Sequence, residues 1–95
     1  MKIQLVFLGS FQYDFGVGEL EYVIQEGTII RILFRQLAEK KQFQRLKEFF
    51  TEKYEAPRSV IIFVNDQDIS VLEGMTTILK KEDKITLIPV IHGGG

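Results

Sequence analysis

The sequence ends in one histidine and three glycines, residues 92–95, directly after a predicted strand. Glycine loses more conformational freedom on ordering than any other residue, so three in a row disfavour regular structure. We expect residues 92–95 to form a mobile tail that projects from the fold, because unpacked chain ends are commonly poorly ordered. From Ile91 to Gly95 the chain could span roughly 17 Å at about 3.4 Å per residue. A tail without side chains could enter a narrow cleft and present only its terminal carboxylate.

That carboxylate is the group of the tail that could do chemistry. A terminal carboxyl group is ionised at neutral pH, and an ionised carboxylate is a poor acyl donor. It needs activation before it can be transferred, and nucleotide-driven adenylation is the usual solution. The alternative is that the three glycines are only a frayed end with no chemical role.

Other side chains are weaker candidates for chemistry. His92 has neither a Cys nor a second His to complete a ligand set, so we expect a solvated histidine. Two carboxylate pairs, Asp66 with Asp68 and Glu82 with Asp83, fall in predicted turns and have no recognisable nucleophile or base beside them. We therefore predict no catalytic residue and no metal site.

Composition narrows the class of protein. The 95 residues, 11.0 kDa, suit one small domain, and 45% hydrophobic residues with eight Phe can form its core. Twelve Lys and Arg against thirteen Asp and Glu leave a net charge of −1, which disfavours direct binding to nucleic acid. The absence of Cys excludes disulfides and thiolate catalysis. With no signal-peptide pattern and no long apolar run, we expect a cytoplasmic protein that is not bound to a membrane.

Hydrophobic periodicity predicts the elements that position the tail. Alternation of apolar and polar residues predicts strands over 2–9, 19–25, 59–64 and 84–91, with a short strand near 68–72. Spacings of three and four predict a main helix over roughly 29–40, with Thr28 as N-cap, and a second helical stretch over 42–54. Turn residues Asp14, Gly16 and Gly18 predict a hairpin between the first two strands.

This order of elements predicts an α+β fold. A hairpin, a crossover helix and returning strands form a β-grasp roll, in which a mixed sheet packs on one main helix plus a second helical segment. The last strand can then lie beside the first. We predict one domain over residues 1–91, followed by the tail of residues 92–95.

Side-chain parity predicts a partner surface on the sheet. If Ile3, Leu5, Phe7, Ile62 and Val64 face the helix, then Val6, Leu8, Ile61 and Phe63 face away from it. Ile88 is expected to join this outward set. Contiguous exposed apolar surface usually marks an interaction site, so we predict a partner-binding face that includes Leu8, Phe63 and Ile88.

The predicted fold with its terminal glycines resembles the ubiquitin-like sulfur carriers. These are the molybdopterin synthase small subunits, the thiamine sulfur carriers, the small archaeal modifier proteins and the ubiquitin-related modifiers. Residues 63–66 (FVND) resemble the family's "VNG" or "VND" element, and residues 79–84 (LKKEDK) its "LKDGD" turn. Residues 92–94 (HGG) resemble the ubiquitin-related modifier ending, while Asp66 and Glu82 stand where many relatives have turn glycines.

The resemblance implies a role for the tail. Gly95 would be adenylated by a ubiquitin-activating-type enzyme that consumes ATP, then converted to a thiocarboxylate or transferred to an amine. Gly93 and Gly94 would contribute through their lack of side chains, which would let the tail enter a narrow cleft. The chain would be a sulfur carrier or protein modifier rather than an enzyme, with no permanently bound cofactor. Its partners would be the adenylating enzyme, a sulfurtransferase and lysines of other proteins, and its sulfur would go to tRNA or to cofactor biosynthesis.

Two alternatives stay open. The chain could be the small subunit of molybdopterin synthase, whose tail inserts into the catalytic large subunit. It could also be a plain β-grasp interaction module that uses only its apolar sheet face. The ending of residues 92–94, and Pro89-Val90 in place of the molybdopterin-type Pro-Pro, favour the carrier or modifier.

Overall fold

Five strands form one mixed sheet in the computed structural model, which describes residues 1–90. The strands are β1 (Lys2–Phe7), β2 (Glu19–Val23), β3 (Val60–Val64), β4 (Gln67–Asp68) and β5 (Lys84–Pro89). Their order is β2-β1-β5-β3-β4, with β1 and β5 parallel and the other pairs antiparallel. The predicted mixed sheet, with the last strand beside the first, is confirmed.

The main helix lies on one face of this sheet. Helix α2 (Ile30–Leu37) buries Ile30, Leu33, Phe34 and Leu37 completely. The prediction of Thr28 as its N-cap is wrong, since the Thr28 hydroxyl donates to the carbonyl oxygen of Gln25 at 2.7 Å and Ile29 precedes the first helical turn. Amphipathic burial therefore positions this helix without a side-chain cap.

The connection between β1 and β2 differs from the predicted tight hairpin. A short helix, α1 (Phe11–Phe15), is inserted there, and both of its Phe side chains are buried. The left-handed Gly16, with φ 71°, ends this helix, and its N–H donates to the carbonyl oxygen of Gln12 at 2.9 Å. Gly16 is therefore a helix terminator rather than a hairpin residue.

Two other predicted elements take a different form. The helical stretch expected over 42–54 is a 3₁₀ helix, Lys41–Phe49, and Phe50 is already extended. The short strand expected near 68–72 is only β4, after which the chain enters a 3₁₀ turn at Ile69–Val71. A second 3₁₀ turn, Gly74–Thr76, precedes the final strand.

An aromatic cluster joins α1 and the 3₁₀ helix Lys41–Phe49 to β1. The Phe7 ring lies 5.1 Å from Phe15 and 5.5 Å from Phe43, measured between ring centroids, while Phe11 packs edge-on against Phe49 at 4.8 Å. Such geometries add to the free energy gained from burial alone. The aromatic stripe of the predicted second helical segment is thus part of the core.

The last strand leads directly to the tail. β5 ends at Pro89, which pairs with Val60, and the Val90 N–H donates to the carbonyl oxygen of Ser59 at 2.9 Å. The strand predicted to reach residue 91 is therefore shorter. Residue 91, the tail of residues 92–95 and the predicted boundary between them lie outside the described residues. Within residues 1–90, no helix has both the length and the apolar character needed to cross a membrane.

Candidate functional site on the outer face of the sheet

Strand parity divides the sheet into a buried and a partly exposed face. Ile3, Leu5, Phe7, Ile62 and Val64 are buried against the helices, as alternation predicts. On the opposite face, Leu8 and Ile61 are each 37% exposed, and Val6, Phe63 and Ile88 are half-buried. Burial of one face fixes the strand register, because a slip of one residue would exchange the two sets.

The register brings the outward residues into one patch. Ile61 pairs with Ile88, Phe63 pairs with Thr86, and Thr86 pairs with Val6. Leu8 continues past β1 beside β5, where its N–H donates to the carbonyl oxygen of Leu87 at 3.0 Å. We call the set Val6, Leu8, Ile61, Phe63, Thr86 and Ile88 the outer patch.

A shallow depression lies within the outer patch. Its volume is about 250 Å³, and its lining consists of Leu8, Phe63, Asp66, Thr86 and Ile88. Thr86 lies in the middle strand, between β3, which carries Phe63, and β1, which directly precedes Leu8. The depression is lined mainly by apolar side chains, the kind of surface that receives an anchor residue in protein interfaces.

The turn after β3 borders this depression. Asn65 and Asp66 both have left-handed backbone conformations, with φ 50° and 73°. The Lys84 Nζ lies 3.5 Å from Asp66 Oδ1, an exposed ion pair. This turn places one carboxylate at the rim of an otherwise apolar surface.

The structure brings the predicted residues Leu8, Phe63 and Ile88 together around one depression. Sequence reasoning missed Thr86 and Asp66 as parts of it. Thr86 shares the parity of Ile88, which was the available signal, but its neighbours depend on the register of β5. Gly93, Gly94 and Gly95 lie outside the described residues, as does His92.

Three of the four carboxylates considered as catalytic groups, Asp66, Asp68 and Asp83, have structural contacts. Asp83 accepts hydrogen bonds from Asn65 Nδ2 and from the Lys80 N–H, each at 2.7 Å. Asp68 accepts from the Ser70 N–H at 2.9 Å, and Asp66 pairs with Lys84. Between Met1 and Val90, no group of three or more His, Cys, Asp or Glu side chains could hold a metal ion.

The chain was compared with models of protein families. The model of the family Urm1 (Ubiquitin related modifier) matches residues 18–94, from the start of the β2 region into the glycine tail. The chain belongs to the ubiquitin-related modifier family. A comparison with curated protein sequences found no match.

Solved structures of this family and its neighbours share the fold. Urm1 from Trypanosoma brucei is 23% identical with a TM-score of 0.80, covering 98% of this chain and 95% of that one. Small archaeal modifier protein 1 from Methanosarcina acetivorans is 25% identical with a TM-score of 0.75, covering 98% and 96%. A putative molybdopterin converting factor, subunit 1, from Pyrococcus furiosus is 25% identical with a TM-score of 0.75, covering 96% and 99%. The chain is thus a ubiquitin-like protein of the sulfur carrier and modifier group, with the predicted β-grasp fold.

Proposed function

We propose that the carboxylate of Gly95 is an acyl donor that a ubiquitin-activating-type enzyme adenylates with ATP. The observation that carries this proposal is the family match, which runs through Gly94. The carboxylate oxygen attacks the α-phosphorus of ATP, and pyrophosphate leaves. The product is an acyl-adenylate, whose AMP is a good leaving group.

Two second steps are open to this acyl-adenylate. Attack by hydrosulfide, which a thiol reductant releases from the persulfide of a sulfurtransferase, forms a C–S bond while AMP leaves with the electron pair of the broken C–O bond. The product is a thiocarboxylate that can deliver sulfur. Attack by a neutral lysine amine instead gives an amide, with loss of one proton and AMP, and joins the chain to another protein. In both cases the chain is the carrier and the catalytic groups belong to its partners.

The fold supports the proposal through the strand that precedes the tail in the sequence. Ile88 lies in the outer patch, two residues before Val90, where the described chain ends. The remaining five residues can span at most about 17 Å when fully extended. An enzyme that contacts the outer patch through Leu8, Phe63 and Ile88 would therefore hold its nucleotide within about 17 Å of Val90. The proposal places the protein in the cytoplasm, where ATP is available.

Adenylation is tested with the purified adenylating enzyme of the source organism. Formation of the acyl-adenylate makes pyrophosphate exchange into ATP dependent on this protein, and we expect that exchange with the full chain. A chain that lacks residues 94 and 95 is the control and should give none. Normal exchange with the shortened chain would contradict the proposal.

The two second steps are separated by mass spectrometry of protein from native cells. A thiocarboxylate appears in the intact mass as the replacement of one oxygen by sulfur. A conjugate appears after trypsin digestion as a branch of residues 85–95 on a lysine of another protein, because Lys84 is the last tryptic site. Each product identifies one branch of the proposal.

A second candidate is the small subunit of a molybdopterin synthase. The likeness to the Pyrococcus furiosus protein, at 25% identity over nearly the whole of both chains, favours it. In that case the protein would form a stable complex with a catalytic large subunit, and its thiocarboxylate would donate sulfur to the cofactor precursor. Size-exclusion chromatography with the large subunit of the source organism tests this candidate, because a free carrier elutes alone.

A further inference from the structure

Charge is distributed unevenly between two parts of the chain. Residues 29–58, which include α2 and the 3₁₀ helix Lys41–Phe49, carry eight Lys and Arg against four Glu, a net charge of +4. The rest of the chain carries four Lys against nine Asp and Glu, a net charge of −5. The overall charge of −1 therefore conceals a basic segment, residues 29–58, and an acidic remainder of the chain.

One row of residues crosses the outer face of all five strands. Glu19 of β2 pairs with Val6, Val6 with Thr86, Thr86 with Phe63, and Phe63 with Asp68 of β4. Directly paired residues share a face of the sheet, so the row has an apolar centre and a carboxylate at each end. Four strand spacings of about 4.8 Å place these two residues about 19 Å apart.

The two terminal carboxylates are not neutralised within residues 1–90. Glu19 accepts a hydrogen bond from Gln4 Nε2 at 3.3 Å, and Asp68 accepts one from the Ser70 N–H. The other carboxylates beside the face, Glu21 and Asp66, form ion pairs with Lys2 and Lys84. Among the described residues, Glu19 and Asp68 have no ion-pair partner, so their charge is available to a partner protein.

We propose that the outer patch docks onto a protein surface with an apolar anchor flanked on both sides by Lys or Arg. The occupant is the adenylating enzyme, and this inference rests on the function proposed above. The anchor side chain fills the depression over Thr86. The two cationic groups lie about 19 Å apart, opposite Glu19 and Asp68. Charge complementarity of this kind accelerates and orients encounter more than it raises affinity.

The basic segment of residues 29–58 strengthens this orientation. A positively charged enzyme surface attracts Glu19 and Asp68 on the outer face and repels residues 29–58, because these groups carry opposite charge. The carrier therefore approaches with its outer patch, rather than its helices, toward the enzyme. Salt weakens this steering, since the Debye length is only about 8 Å at physiological ionic strength.

Isosteric neutralisation tests the inference. Glu19→Gln with Asp68→Asn removes both charges and keeps an oxygen that can accept from Gln4 and Ser70. Glu48→Gln with Glu52→Gln, on the 3₁₀ helix and just after it, removes the same charge from the basic segment of residues 29–58. The association rate constant with the purified adenylating enzyme is measured by stopped flow below and above an ionic strength of about 0.15 M.

We expect the Glu19 and Asp68 variant to associate about fivefold more slowly at low ionic strength and to lose much of its salt dependence. The Glu48 and Glu52 variant should keep the wild-type rate or exceed it. A wild-type rate and salt dependence in the first variant, or equal slowing in both, would overturn the inference.

A third variant separates this inference from the proposed function. Phe63→Ala removes an apolar contact without changing charge, so it should raise the dissociation rate constant. If Phe63→Ala weakens binding while neutralisation of Glu19 and Asp68 has no effect, only the charge inference fails. If the full chain gives no pyrophosphate exchange in the presence of the enzyme, the proposed function fails.

Discussion

The side-chain amide of Asn65 donates a 2.7 Å hydrogen bond to Asp83 Oδ1, which joins the turn after β3 to the turn before β5. The Asn65 Oδ1 in turn accepts from the Lys84 N–H at 2.9 Å, and Asp83 Oδ2 accepts from the Lys80 N–H at 2.7 Å. Asp83 is only 9% exposed. The segments 63–66 and 79–84, which resemble two separate sequence motifs, are therefore one hydrogen-bonded unit.

Breaking this unit should destabilise the fold. Asp83→Ala leaves the Asn65 amide and the Lys80 N–H without their acceptor, so the free energy of unfolding should fall by about 2–3 kcal/mol. Asn65→Ala should cost about 1–2 kcal/mol, and the double variant less than the sum. Urea denaturation measures all three. The exposed pair Lys2 and Glu21, 3.7 Å apart, is the control and should show coupling of about 0.5 kcal/mol or less. Additive effects at Asn65 and Asp83 would contradict the prediction.

Glu82 has a strained backbone that glycine would relieve. Its φ is 68°, a left-handed conformation that costs a residue with a Cβ about 1–2 kcal/mol. Glycine avoids this cost but loses more entropy on folding, so Glu82→Gly should raise the free energy of unfolding by about 0.5–1 kcal/mol. Glu73→Gly, at φ −100°, is the matched control and should lower it by a similar amount. Thermal denaturation shows whether Glu82→Gly is more stable than the wild type and Glu73→Gly less stable.

Tyr54 should make stability sensitive to alkaline pH. Burial raises the pKa of the Tyr54 hydroxyl, with a further rise from Glu39 that Arg35 partly opposes. Since the pKa is higher in the folded state, the stability linked to this group is fully present below about pH 10 and is lost as pH rises above it. Tyr54→Phe keeps the ring, 5.3 Å from Phe50, and should show a shallower loss of stability above pH 10. Identical pH profiles of unfolding for the two proteins would refute this prediction.

A charged residue introduced into the outer patch should leave the fold intact but weaken binding to the adenylating enzyme. Phe63→Asp or Leu8→Asp should weaken binding to the adenylating enzyme at least about tenfold, because anchor residues dominate interface energies. The fold should persist, since both side chains lie on the face opposite α2. Val71→Asp introduces the same charge at a site that is 71% exposed and outside the outer patch, and should bind normally. Calorimetric titration measures the affinity, and unfolding of both patch variants would show that these residues belong to the core.

Activity should depend on the last two glycines. Deletion of Gly94 and Gly95 should abolish adenylation without changing stability, because a terminal segment is expected to contribute little packing. Gly94→Val should do the same, since a β-branched side chain restricts the backbone and would obstruct a narrow channel. Deletion of Gly95 alone shortens the reach by about 3.4 Å and should lower the rate. A double deletion with a normal rate of adenylation would refute the role of the tail.

Sequence periodicity was sufficient to predict the main strands and the buried face of the sheet, but not the structure of the segments that connect the strands. The two-residue alternation in β1 and β3 identified the buried face correctly, because burial of that face is what selects the alternation. It could not reveal α1, since only Phe11 and Phe15 mark a five-residue helix and nearby glycines favour a turn. The signal for a 3₁₀ helix was present in Phe43, Leu46 and Phe49, which recur at intervals of three.

The outer patch shows the same limit. Parity alone placed Leu8, Phe63 and Ile88 on one face. The depression over Thr86 depends on how β5 aligns with β1 and β3, and that alignment is set by contacts between distant parts of the chain. The only sequence signal for the left-handed backbone of Asp66 was that many relatives have a turn glycine at this position.

The central position of β5 has a mechanical consequence. A load applied on the C-terminal side of the domain would be transmitted through Val90 to a strand held between β1 and β3. Pulling along that strand shears the hydrogen bonds on both of its edges together, instead of opening them one at a time from an outer edge. The strand next to the tail is therefore released only when its hydrogen bonds to both β1 and β3 are broken.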